Sequence, residues 1–115
     1  MRTVDLGENA SVFPSGEDRL VYRLTGHLNA RMEELREDGL SVRCVRSERD
    51  DTGMVWIRFP GLTGKEAVRR LWRAYRIKTC PAEAEGEVPF RVTAGVTFED
   101  MDYVQGAVMD LCGEP

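Results

Sequence analysis

Reactive side chains are sparse in this chain of 115 residues, and Arg91 is the one whose setting is hardest to explain away. It stands in PFRVTAG (89–95), between Phe90 and Val92, in a segment otherwise built for burial. An arginine projecting from a rigid strand is suited to grip a carboxylate through two parallel hydrogen bonds. Thr93 follows two residues later, on the same face of an alternating strand, and offers a hydroxyl to the same ligand. The competing reading is an arginine on the open face of a sheet, paired with a glutamate. Cys80, between Thr79 and Pro81, is the best candidate for a reactive thiol. Lys78 and Arg76 could lower its pKa, but no nearby histidine would activate it, and a buried, inert thiol is the alternative.

The remaining polar groups assemble no complete catalytic constellation. His27 is the single histidine and lies beside apolar Leu24 and Leu28, so it reads as a boundary residue rather than a base or ligand. With one histidine and no Cys-x-x-Cys, no metal site is expected. Lys65, Arg69, Arg73 and Arg76 line up on one helix face, with Arg70 and Lys78 nearby. They read either as an anion- or nucleic-acid-binding patch or as a solvated face opposite the Leu71/Trp72 stripe. The net charge of −4 disfavours non-specific binding to nucleic acid or to a membrane surface. No apolar run approaches the ~20 residues of a membrane span, and MRTVDLGENA lacks the apolar stretch of a signal peptide. Three cysteines, Cys44, Cys80 and Cys112, are most simply free thiols in a reducing cytoplasm.

Periodicity sets the framework around these groups. RTVDL at the N-terminus alternates like a short strand, and a loop-like segment continues to residue 17. Ser15 and Asp18 have the spacing of a capping box before a helix of about 18–38, which Gly39 should end in a left-handed conformation. LSVRC and MVWIRF, joined through the turn residues Asp50, Asp51 and Gly53, predict an antiparallel hairpin across 40–59. Thr63 and Glu66 open a helix of about 64–76; RIKTC and VPFRVTA read as strands around an acidic loop. Thr97 and Asp100 cap a last helix of about 98–112. Pro89 should keep its end of the strand out of central pairing. The order α-β-β-α-β-β-α predicts a single small α+β domain over 18–115, its sheet mostly antiparallel with helices on one face. If residues 1–6 pair into the sheet, a ferredoxin-like domain that binds small molecules or dimerises becomes the alternative.

YRIKTC, EGEVPFRVTAG and VTFEDMDYVQGAVMDL together resemble the end of the C-terminal small domain of fold-type I pyridoxal-phosphate enzymes. The class V aminotransferase and cysteine desulfurase group is most similar. LNARMEELREDGLSVRC and GMVWIRFPG fit the long helix and first strands of that domain, so the resemblance covers about 18–112. It implies that Arg91 is, or descends from, the residue that binds the substrate α-carboxylate. The family's Schiff-base lysine, pyridine-nitrogen aspartate and phosphate cup belong to a large domain that these residues do not match. Lys65 and Lys78 stand outside the family's lysine context, and Cys80 lacks the surroundings of the desulfurase cysteine. The resemblance therefore implies a stand-alone small-domain relative with no cofactor of its own. It would act as a binding or interaction module, or as one part of a split enzyme working with a separate large-domain chain. Self-association and a small carboxylate ligand are the other partners this reading admits.

Overall fold

The structure is a computed structural model and describes residues 2–10, 19–45 and 52–113. The Ser15–Asp18 capping pair and the turn residues Asp50 and Asp51 lie outside the described residues. In chain order the elements are β1 (Val4–Leu6), α1 (Leu20–Glu33), β2 (Ser41–Val45), β3 (Gly53–Arg58), α2 (Gly64–Tyr75), β4 (Ile77–Thr79), β5 (Val88–Val92) and α3 (Phe98–Gly113). This is the expected α-β-β-α-β-β-α order with one strand in front.

Helix α1 buries Val21, Leu24, Leu28 and Met32, the stripe that its sequence spacing marks. It ends at Glu33 rather than running to 38. Residues Arg36–Asp38 instead tighten into a 3-10 turn, closed by Gly39 at φ 98°. Helix α2 starts at Thr63, whose Oγ1 accepts the Glu66 N–H at 3.1 Å. At α3 the box is reciprocal: Asp100 N–H donates to Thr97 Oγ1 (3.1 Å) and Thr97 N–H to Asp100 Oδ2 (2.9 Å).

The hairpin forms as expected, with Val42 opposite Ile57 and Cys44 opposite Val55. Strand β5 adds antiparallel to the other side of β3, giving the order β2-β3-β5. Strands β1 and β4 form a separate two-stranded parallel pair, Val4 opposite Ile77 and Leu6 opposite Thr79. The two sheets meet at Cys80, whose N–H donates to the Pro89 carbonyl at 3.0 Å. Proline has no N–H to give, so this joint uses the acceptor that Pro89 retains. Residues 4–6 therefore do pair, but outside the hairpin sheet. With β5 and α3 added, the chain departs from the β-α-β-β-α-β order of a ferredoxin-like domain.

The core lies between the three-stranded sheet and the helices. Val55, Ile57, Val88, Phe90 and Val92 are fully buried on one sheet face, while Met54, Trp56 and Arg91 on the other are half-buried. Burying a side chain the size of Phe90 contributes about 1.5–3 kcal/mol. Gly53 reads from sequence as a turn residue with positive φ, but its role is different. A Cβ there would lie 2.1 Å from Thr25 Oγ1, so glycine lets α1 seat directly on β3. Thr25 is itself buried and donates its hydroxyl to the Val21 carbonyl at 2.7 Å.

Candidate functional site

Strand alternation sends Phe90 and Val92 into the core and Arg91 to the open face of the sheet. Across the strands Val45, Met54 and Arg91 form one row. The guanidinium turns toward the N-terminal segment, where Nη1 donates to the carbonyls of Glu8 (2.9 Å) and Ala10 (3.2 Å). Those carbonyls flank a tight turn in which Ala10 N–H donates to Gly7 O at 3.2 Å. Among the described residues, Arg91 has no acidic partner; backbone oxygens take the place of the glutamate that a sheet-face arginine would be expected to find. No local sequence signal announces this, because residues 8–10 reach β5 only through the long-range pairing of β1 with β4.

Thr93 lies just past the end of β5 and is buried, its Oγ1 accepting the Gly95 N–H at 3.3 Å. Its hydroxyl thus serves the turn that leads into α3, away from the Arg91 guanidinium's partners. Cys80 is also buried, and its thiol lies 4.0 Å from the Leu6 carbonyl. Burial pushes this thiol up from its ordinary value; the Glu8 carboxylate adds to the rise and the Arg91 charge opposes it. The fold therefore brings Cys80 and Arg91 to the same joint, two residues that the sequence presents as separate. The sequence places Cys44 and Cys112 on apolar faces, yet both are half-buried and Cys80 is the most enclosed of the three. An open groove of about 260 Å³ runs beside the joint, lined by Asp5, Gly7, Glu8, Asn9, Lys78 and Thr79.

A second cluster on the open face escapes sequence reasoning, although strand register could have found it. Arg43, Trp56 and Pro89 stand in one cross-strand row. The Arg43 guanidinium lies 3.9 Å from the Trp56 ring centroid and grips Glu87 through Nε (3.3 Å) and Nη2 (3.0 Å). Trp56 Nε1 donates to Glu83 at 3.1 Å. The Arg43 hydrogen bond holds the Glu87 carboxyl below its usual range. Strand and acidic loop are thus latched together by one arginine and one tryptophan.

The basic helix face is divided. Arg69 and Arg70 both pair with Glu66, whose carboxyl they hold below its usual value. Lys65 and Arg73 are exposed, and the Arg76 guanidinium and Lys78 ammonium lie over the Trp72 ring at 4.9 and 5.6 Å. His27 Nε2 meets Asp102 Oδ1 at 2.8 Å with Phe98 edge-on to the imidazole at 5.3 Å, a contact between α1 and α3. Among the described residues, no three His, Cys, Asp or Glu side chains gather as a metal site, and no helix is long and apolar enough to cross a membrane.

No protein-family model matches the chain, and no curated protein matches it. Solved structures do. The aromatic aminotransferase from Pyrococcus horikoshii OT3 superposes with a TM-score of 0.51 at 18% identity, over 78% of this chain and 24% of that one. Alanine–glyoxylate aminotransferase from Nostoc sp. gives 0.53 at 26% identity, over 78% of this chain and 25% of that one. The chain therefore spans about a quarter of the length of these structures, and its α+β fold is similar to that portion of an aminotransferase.

Proposed function

We propose that this chain is a relative of an aminotransferase small domain that works without a cofactor of its own. In that role it is a non-catalytic binding or interaction module, or one part of a split enzyme completed by a separate large-domain chain. The observation that carries the reading is the structural likeness to one quarter of two aminotransferases. The described residues build one core, whereas a pyridoxal-phosphate cleft needs walls from two. Lys65 and Lys78 are exposed on a helix and a strand, settings that favour solvent over an aldehyde cofactor. The three free cysteines suit a reducing cytoplasm.

In this reading Arg91 is the carboxylate-gripping group. Nε and Nη2 make no hydrogen bond to a described residue, so a ligand carboxylate has donors to meet beside those holding Glu8 and Ala10. Thr93 joins the ligand only when the 93–95 turn releases its hydroxyl. Pyridoxal phosphate added to the purified protein should give no Schiff-base absorbance and no borohydride-fixed adduct. A stoichiometric adduct at Lys65 or Lys78 overturns the cofactor-free reading. Titration with amino acids and small dicarboxylates should shift backbone resonances around Arg91, and Arg91→Lys should weaken that response. Silence at millimolar ligand sinks the carboxylate role for the isolated chain.

A further inference from the structure

Charge is distributed unevenly along this chain. Residues 64–79 hold Lys65, Arg69, Arg70, Arg73, Arg76 and Lys78 against Glu66 alone, a net of +5. The whole chain carries −4, so the remaining residues carry −9. Several arginines elsewhere pair with acids within the fold: Arg31 with Glu34, Arg36 with Glu33, Arg43 with Glu87. On this segment Arg69 and Arg70 share the single acid, Glu66. Among the described residues, Lys65, Arg73, Arg76 and Lys78 make no ion pair. An unneutralised basic ridge on an acidic protein is a field aimed outward.

The ridge borders an apolar groove of about 320 Å³ between α2 and β4. Val68, Trp72 and Ile77 form its apolar wall, and Arg69, Lys78 and Thr79 its rim. Arg76 adds a backbone observation. It terminates α2 in the left-handed region, at φ 56° and ψ 41°, where glycine would be free of strain. An arginine at that position keeps a guanidinium over the Trp72 ring, beside the groove. Local strain held in place by its surroundings is a recurrent mark of functional surfaces.

We propose that this groove and its basic rim dock an acidic peptide segment of a partner protein. One apolar side chain of that segment fills the Val68–Trp72–Ile77 wall, and its carboxylates meet Lys78 on the rim, Arg76 over the Trp72 ring and Arg73 next to Trp72 along α2. The mode is an apolar anchor in a pocket with charge-complementary steering around it. The groove lies between α2 and β4 and shares Lys78 and Thr79 with the groove beside the Arg91 joint. The inference rests on the reading of this chain as an interaction module, but its failure is separable from failure at Arg91, because this titration is read at Trp72 and the other at the backbone around Arg91.

The test uses Trp56→Phe protein, which leaves Trp72 as the only tryptophan. The probe is a short synthetic peptide of glutamates with one central phenylalanine. Saturable change in Trp72 fluorescence is expected, weakening as salt is raised. Affinity should fall about tenfold for an all-glutamate peptide, for Val68→Ser and for the Arg73→Gln/Lys78→Gln pair. The two glutamines alter only exposed positions, so they stay informative if the Val68 change disturbs folding. No binding overturns the proposal. Equal or tighter binding of a single-stranded oligonucleotide also overturns it, in favour of a general polyanion surface. So does concentration-dependent dimerisation that the peptide fails to compete and that charge removal abolishes, because the occupant is then a second copy.

Discussion

The two faces of the three-stranded sheet are closed in opposite ways. The helix-facing side is closed by shape: Val55, Ile57, Phe90 and Val92 have no exposed surface, and even a single Cβ at Gly53 has no room. The open side is closed by charge and aromatic contact, with Arg43 over Trp56, Glu87 and Glu83 latching the acidic loop, and Arg91 holding residues 8–10. Shape complementarity tolerates little change, whereas exposed polar latches contribute modestly and can be exchanged for a ligand. That difference places most of the stability on the packed face.

The largest effect should come from the packed face. Phe90→Ala should destabilise by about 3–5 kcal/mol, measured by denaturant unfolding. A loss under ~1 kcal/mol would mean the core can collapse around the gap. Gly53→Ala comes next, at about 1–3 kcal/mol from overpacking against Thr25. A neutral result would show that α1 can slide off β3 freely. On the open face, Arg91→Ala should lose about 1–2 kcal/mol and loosen residues 8–10 in hydrogen exchange. Protection unchanged there would separate Arg91 from the N-terminal turn.

Smaller effects test the latch. Glu87 has a depressed carboxyl in the folded state, so its contribution is complete above the ordinary value of 4.5 and is lost as pH falls through the lower folded value. Acid unfolding of Glu87→Gln should therefore be less steep than that of the parent. Salt should narrow the gap, and a salt-independent gap would argue against an ion pair. Thiol labelling probes the joint between the sheets. All three cysteines should react in the denatured protein, and Cys80 should react most slowly in the native one, because it is the most buried and burial raises its thiol pKa. Fast native labelling at Cys80 would show that this joint opens readily.

Local chemistry is readable from sequence and distant pairing is not. The Thr97–Asp100 box and the β2–β3 hairpin each depend on neighbours close in sequence and form as their residues indicate, whereas Gly39 takes its left-handed conformation but closes a 3-10 turn, the helix having ended at Glu33. Gly53 is legible as special but for the wrong reason, since its constraint comes from Thr25 on another element. The Cys80 enclosure, the Arg91 carbonyl partners and the Arg43–Trp56 stack depend on the β4–β5 joint or on strand register. No short window of sequence encodes either. The likeness of PFRVTAG to an aminotransferase strand points to the right fold, because a short arginine strand before a capped helix is itself a local pattern.

The parallel pairing of β1 with β4 also sets an order of events. Val4 and Ile77 are more than seventy positions apart, whereas Val45 and Met54, paired across β2 and β3, are close in sequence. Loop-closure entropy makes the distant contact the slower one to form. The hairpin and its helices can assemble while the N-terminal strand is still searching. When that strand arrives, it brings Leu6 to Cys80 and residues 8–10 to Arg91 in the same step. Completion of the Arg91 neighbourhood is thus expected to come late in folding. Refolding followed at Cys80 and Arg91 should lag behind refolding followed at Trp56.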